Sequence, residues 1–580
     1  MRFVIAIVAF VIAAASIGLG VAQRTVLVGP DSISSQITTG TASLTIIDGA
    51  TLNANAGTQA IEIAGKGDIM LAYGRTADVM AWVGDASFNQ VSWDADTDKL
   101  ISTVVQGTDQ EVPSPVGSDL WVREFTGTDI LTRKLKVPEG VSVIIAADGT
   151  LPAPSRLSIT WPLDNSAPLS VPLVVAGIIA LLVGLITFLW ALVHARRRHG
   201  PRRASRKLPK RPRPPQLKPG KRRDAGAPDP DPERELEPAR PAGRRRAFVA
   251  TGTLLVGMLA LSGCGPATPD PAASSTAAAA LDTTPVAVTE GQFAKIFTDV
   301  VSAVAAADTA RDPDLAATRL AGPALALRVA NYAIRGVDSA VAPLSPIPAD
   351  KIKIVLPQQT QNWPRSVFAV VISTDGSIAP VGLMLTQDSP RENYKVHYLV
   401  ALIATVPNVA PVELGAGAQA ASNVLGVMAP EDVAAAYGGI LINGDAAPSF
   451  SQFQADGDVL RTAIGPDYKA QRKKQLPTSA AIEFTNGPGP DPVISFVTND
   501  SGQLVAAVLD DVETVTPLES GSAVNPSGQV KALLNKTAST SGITATYGVQ
   551  LLFYIPPAGS GQQIILLGFA SGLVSVTEVG

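Results

Sequence analysis

The chain has 580 residues and is 46% hydrophobic, enough for several cores and too apolar to be disordered throughout. Its single cysteine excludes a disulfide framework or a cysteine-based zinc site within the chain, so the folded parts must hold by packing. The net charge of −4 hides a split, because residues 195–246 hold 19 Lys and Arg against 6 Asp and Glu, a net +13, and the remainder carries −17.

Met1-Arg2 precedes an apolar run over residues 3–22 that ends Gly20-Val21-Ala22, a small-x-small pattern open to signal peptidase. Residues 1–23 read equally as a signal peptide or as an N-terminal anchor, and either reading exports the stretch from residue 24 onward. Over residues 24–165 apolar and polar residues alternate, as in Ser43-Leu44-Thr45-Ile46 and Leu157-Ser158-Ile159-Thr160, with Gly, Asp and Pro between the runs. This predicts an all-β extracytoplasmic domain, a sandwich or a barrel. Asp94-Ala95-Asp96-Thr97-Asp98 lacks the Gly and Glu of a calcium loop, since Lys99 and Val105 stand in their places, and reads as a hairpin turn.

Residues 171–193 carry no charge, and a transmembrane helix is predicted over 169–194. At 1.5 Å per residue the uncharged run is about 34 Å long, enough for a ~30 Å hydrocarbon core. Arg196-Arg197-Arg198 place its C-terminal end in the cytoplasm. Residues 195–246, rich in Pro, Arg and Lys, cannot bury a core and read as a disordered cytoplasmic linker. The basic tract lacks interleaved aromatics to stack on bases, so it is taken as a topology signal resting on anionic headgroups, with no nucleic-acid partner.

Arg244-Arg245-Arg246, the apolar run 247–263 and then Leu261-Ser262-Gly263-Cys264 come next. This stretch resembles a bacterial lipoprotein signal, placed inside the chain. The resemblance implies a covalent diacylglyceryl group on Cys264, cleavage after Gly263 and a lipid-anchored tether over 264–288; no other cofactor is implied. Composition and signal together suggest an actinobacterial-like cell-envelope protein.

Thr289-x-x-Gln292 is a capping box ahead of Phe293, Ile296, Phe297, Val300 and Val304, and Asp312-Pro313 opens a second helix, which Gly322-Pro323 interrupts before Leu325, Leu327 and Tyr332. Strands are predicted over 351–356, 366–373, 381–387 and 394–403. The same order recurs after residue 425, with helices over 429–442 and 458–475 and then five strands. Two tandem α+β domains, 289–405 and 425–580, are expected, and their helices on curved antiparallel sheets resemble the nuclear-transport-factor-2-like superfamily. The chain is thus read as a multidomain membrane protein with its folded domains extracytoplasmic.

Of three histidines only His397 lies outside the cytoplasmic membrane edge, on an alternating strand where a half-buried structural role is expected. No Gly-x-Ser-x-Gly elbow, phosphate loop or His-Glu-x-x-His is present, and Gly487-Pro488-Gly489-Pro490 reads as a hairpin turn. Asp510-Asp511 and Asp432 are the carboxylates that an envelope carbohydrate-active enzyme would pair. The expectation is non-enzymatic: no catalytic, cofactor-binding or metal-binding residue is assigned. Binding or scaffolding is expected at the outer face of the cytoplasmic membrane, with the bilayer and either envelope proteins or cell-wall polymer as partners.

Overall fold

The computed structural model describes residues 2–27, 30–109, 111–163, 169–198 and 284–580. They fall into two compact units, one formed by the segments around residues 2–26 and 169–198, the other by residues 27–163 and 284–580.

The first unit is a pair of helices, α1 (Arg2–Thr25) and, later in the chain, α4 (Ser170–Arg198). Each is long and apolar enough to cross a membrane. They run antiparallel, with the Arg2 guanidinium 4.4 Å from the Trp190 ring and Phe3 against Phe188. Small residues seven apart let the backbones approach: Ala6, Ala13 and Gly20 are buried on α1, and Gly177, Gly184 and Ala191 face them from α4. A β-carbon at Gly20 would lie 2.9 Å from the Ser170 carbonyl, and one at Gly177 would lie 2.5 Å from Ile17. Larger apolar residues such as Val4, Ile12, Ile179 and Ile186 point outward.

In the second unit, residues 30–163 form an eight-stranded sheet. Its strands are β1 (Ser32–Thr38), β2 (Leu44–Ile47), β3 (Gln59–Arg75), β4 (Phe88–Asp94), β5 (Lys99–Val105), β6 (Arg123–Leu135), β7 (Val141–Ala146) and β8 (Arg156–Pro162). The order is β1-β8-β3-β7-β2-β4-β5, with β6 also on β3. Of the two all-β forms expected, sandwich or barrel, the strands build one curled sheet rather than two packed ones. Strand β3, 17 residues long, shifts register between Ala64 and Asp68, pairing with β8 before the shift and β7 after it. Bending of this kind brings the two ends of the order together, and the Leu100 N–H of β5 donates to Ser35 Oγ of β1 at 3.0 Å. Ile61, Leu71, Val143, Ile159 and Trp161 fill the inside. Two short helices, α2 (Gly49–Leu52) and α3 (Thr76–Val83), interrupt the strands. Helix α3 covers the outer face with Val79, Trp82 and Val83; at eight residues it is too short to impose a helical period on the sequence. The Asp94–Asp98 stretch is the β4–β5 turn, where Asp94 accepts from the Asp96 N–H and the Thr97 hydroxyl.

Residues 284–580 begin with α5 (Glu290–Ala310), α6 (Pro313–Ala317) and α7 (Gly322–Val337). Both halves of the Thr289–Gln292 capping box form, and Asp312 caps α6 through the Asp314 and Leu315 N–H groups. Strands β9 (Lys351–Pro357), β10 (Arg365–Ile372), β11 (Val381–Gln387) and β12 (Lys395–Leu402) follow, then the short β13 (Ala418–Gln419). Helix α8 (Val433–Asn443) comes next, and then α9 (Val459–Ile464) and α10 (Pro466–Gln475), which Gly465-Pro466 separates where one helix was expected. The chain ends with β14 (Ala480–Pro488), β15 (Ile494–Val497), β16 (Gln503–Pro517), α11 (Gly528–Leu534), β17 (Ile543–Ile555) and β18 (Ile565–Glu578).

All ten strands of this region lie in one antiparallel sheet, ordered β13-β15-β16-β17-β18-β12-β11-β10-β9 with β14 on β16. The halves expected as domains 289–405 and 425–580 join where Ala401 and Leu402 of β12 pair with Phe569 and Gly568 of β18. Each half keeps its helices on one face, around Phe293, Val300 and Leu383 in the first and around Tyr437, Phe453 and Phe553 in the second. Their opposite faces share one core in which Phe368 and Met384 meet Leu504, Leu552 and Tyr554. Strands β10 and β11 are consequently buried on both faces, which is why they read as unbroken apolar runs.

Candidate functional site

Cys264 and Gly263, the lipidation and cleavage positions, lie outside the described residues, as do the segments 199–246 and 247–263. His194 is exposed near the end of α4.

The carboxylates read from the sequence are not brought to one place. Asp510 and Asp511 are adjacent on β16 and so face opposite sides of the sheet. Asp511 is taken up by Lys469, whose ammonium lies 3.0 and 2.9 Å from its two oxygens. Burial pushes the Asp511 carboxyl up, and the Lys469 contact opposes the rise. Asp432 is exposed.

Asp510 belongs instead to a group around His397. The segment Gly487–Pro490 is not a hairpin turn: β14 and β15 lie end to end along the same edge of β16, and the chain between them bulges outward. The bulge carries Asp491 to the start of α7, where a β-carbon on Gly322 would lie 2.8 Å from Asp491 Oδ1 and 3.2 Å from His397 Nδ1. Gly322 has φ +50°, so both conformation and space call for glycine. Both ring nitrogens of His397 are buried without a hydrogen-bond partner among the described residues. Burial lowers the imidazole below its usual value, and Asp388 and Asp491 oppose that while Lys395 adds to it. Burial raises the Asp491 carboxyl against His397, and burial together with Asp491 raises Asp510. The group therefore answers to pH. Among the described residues no cluster of three or more His, Cys, Asp or Glu is placed to hold a metal ion.

A cleft of about 810 Å³ opens beside β9, walled by Ile352, Ile354, Leu402 and the irregular segment Thr405–Val412, with Glu290 and Lys353 at its polar margin. Its size suits a small ligand.

The densest polar arrangement is one that sequence reasoning missed, the contact between residues 30–163 and 284–580. Asp119, just before Leu120-Trp121, accepts from both terminal nitrogens of Arg319 at 2.5 and 3.3 Å and from the Tyr394 N–H at 2.8 Å. Burial pushes its carboxyl up, with Arg319 acting against that. Asp78, in the first turn of α3, receives Arg365 at 2.8 Å and Arg75 at 2.6 Å. The Asp78 and Arg365 side chains are 2% and 1% exposed, and Arg365 lies 3.6 Å from the Trp363 ring. Arg391 donates to the Trp82 and Val83 carbonyls and to Asp109 at 2.8 Å. Arg75 donates to the Val286 carbonyl and Gln292 to the Leu120 carbonyl. Trp363 adds to the cluster of Trp82 and Trp121. Asp78 lies between Ala77 and Val79, and Asp119 precedes Leu120-Trp121, a local signal of burial, but the partners stand 287 and 200 positions away.

A family model described as a domain of unknown function (DUF8094) matches residues 284–578, just over half of the chain. Neither a curated protein nor a solved structure matches it.

Proposed function

This chain belongs to the DUF8094 family, and from that starting point we propose that it is a membrane-held, non-enzymatic binding scaffold of the cell envelope. In this reading α1 and α4 cross the bilayer as an antiparallel hairpin, with α1 retained as an anchor. Close packing through small residues is the way apolar helices associate in lipid, where burial of apolar surface gives no drive. Both basic ends, Arg2 on α1 and Arg196-Arg197 on α4, then face the cytoplasm.

The observation that carries the reading is the buried pairing of Asp78 and Asp119 with Arg365 and Arg319. The acids precede α4 in the chain and the arginines follow it, yet they touch. If α4 crosses the membrane, the chain must cross back between residues 199 and 283, and the run 247–263 supplies the return. Lipidation of Cys264 would then anchor the start of the second folded region at the outer face. The cleft beside β9 offers a place for an envelope polymer, a lipid or a segment of another envelope protein.

Topology is the test. In a Cys264→Ala background, single cysteines placed at the exposed Thr97 and Ser520 should both react with a membrane-impermeant maleimide on intact cells, and one at Ala227 should react only after lysis. Labelling of Thr97 without Ser520, or of Ala227 in intact cells, would refute the arrangement. Mass spectrometry of the Cys264 peptide tests the lipid separately, and an unmodified thiol in an uncut chain would remove the lipoprotein part of the reading.

A further inference from the structure

The contact between residues 30–163 and 284–580 is built as a joint between two finished bodies. No strand is shared across it, since each side has its own sheet. Nor is a core shared in depth: the inner clusters draw on one side only, and Trp363 alone reaches into the other side's outer cluster. The links are side chains, and the ion pairs that cross the joint are sorted by sign, while Arg75 of the first body donates across it to the Val286 and Ala287 carbonyls. Asp78, Asp109 and Asp119 come from the first body and their partners Arg365, Arg391 and Arg319 from the second. Three acids against three arginines around a tryptophan cluster is the make-up of an interface between separate proteins, where arginine and tryptophan anchor and charge complementarity sets orientation. The family match begins at residue 284 and leaves the first body out, so the family's unit is bounded at this joint.

We propose that residues 284–580 present a docking face whose partner is the fold of residues 30–163 as a separate polypeptide, so that the two remain one noncovalent complex when the chain between them is cut. The face recognises an acidic partner that offers three carboxylates at this spacing, together with the Leu120 carbonyl for Gln292 and the Trp82 and Val83 carbonyls for Arg391. Cleavage after Gly263, which the lipobox implies, would therefore yield a complex of two chains rather than two free products. The inference does not depend on the membrane arrangement proposed above, because a chain cut in detergent has no sides.

The full-length protein in detergent, with a specific protease site inserted between Ala278 and Ala279 and an affinity tag after Gly580, tests it. After cutting and capture, the fragment ending at residue 278 should stay with the tagged fragment in equal amount for hours. The joint variant Asp78→Asn with Asp119→Asn should release it at least tenfold faster. Asp109→Arg, at a partly exposed pair where folding is not at stake, should also speed release, and adding Arg391→Asp should slow it again. Immediate separation of the cut wild type would overturn the proposal, and so would release that none of these variants changes. Separation together with outward labelling at Thr97 and Ser520 would leave the membrane arrangement standing and the docking inference refuted.

Discussion

Asp78→Ala removes the only charged partner, among the described residues, of a guanidinium that is 1% exposed. Arg365 keeps the Gln361 carbonyl at 2.9 Å and the face of Trp363, but its Nε and Nη1 have no partner among the described residues. The charge is then buried without compensation, and breaking a buried pair from one side costs about 3 to 5 kcal/mol. Arg75 loses the same carboxylate, which loosens its hold on the Val286 and Ala287 carbonyls. A cost of about 4 kcal/mol shifts the docking equilibrium roughly a thousandfold. Hydrogen exchange should show it as lost protection in α3 and residues 118–121 and 391–394, with the two sheets still protected; the emission of Trp82, Trp121 and Trp363 should move to the red. Replacing both partners, Asp78→Leu with Arg365→Met, should recover most of the loss, because an apolar pair of similar volume is often as stable as a buried ion pair. Asp109→Ala, at a partly exposed pair, should cost no more than about 1 kcal/mol. If Asp78→Ala cost no more than Asp109→Ala, the buried pairs would not be what holds the joint.

Gly322→Ala should lower stability by about 1 to 2 kcal/mol, from the left-handed backbone and the crowding of Asp491, and denaturant titration should find a reduced midpoint with an unchanged slope. His397 has its pKa lowered by burial, so the unfolded chain takes up that proton first as pH falls below about 6.5, and the group's contribution, full above that pH, declines as pH drops through the folded value. The decline is at most about 1.4 kcal/mol per pH unit; His397→Gln should flatten that part of the stability profile, whereas Asp491, raised by burial, acts in the opposite sense above its usual value of 3.8. Gly177→Leu should force α1 and α4 apart, and disulfide cross-linking between cysteines placed at Phe3 and Phe188, whose rings lie 6.0 Å apart, should lose yield in that variant.

Local chemistry made much of the fold legible. The Thr289–Gln292 box and the Asp312 cap act within a single helical turn, and each sits where its pattern placed it; Gly465-Pro466, which splits the helix expected over 458–475, carried a local signal that went unread. The runs that became β9 to β12 were found for the same reason, since strand patterning is a property of the stretch itself. What could not be read was decided by distant residues. The Gly-Pro-Gly-Pro stretch has the composition of a hairpin turn, but β16 is long enough to hold both β14 and β15 on one edge, and the turn becomes a bulge that delivers Asp491 to His397. Asp510-Asp511 could be weighed as paired carboxylates only because adjacency in sequence is visible; that one side chain meets Lys469 and the other lies near Asp491 depends on the sheet around them.

The joint between the two folded regions adds a constraint that neither hydropathy nor charge bias supplies alone. Hydropathy marks segments that can cross a membrane, and charge bias orients each one separately. A buried contact between residues before and after α4 fixes parity: the number of crossings between residues 163 and 284 must be even. If α4 crosses the bilayer, as proposed, a second crossing falls to residues 199–283, and 247–263 is the apolar run in that sequence. That run has only 17 residues, the lower limit for a spanning helix. Under the same proposal a lipid on Cys264 would assist a segment this short, since acyl chains would hold its outer end at the membrane whether or not the segment before it is kept. Lengthening the run with four leucines after Leu255 should therefore leave labelling at Ser520 unchanged while making anchoring independent of Cys264, and loss of outward labelling at Ser520 would contradict the parity argument itself.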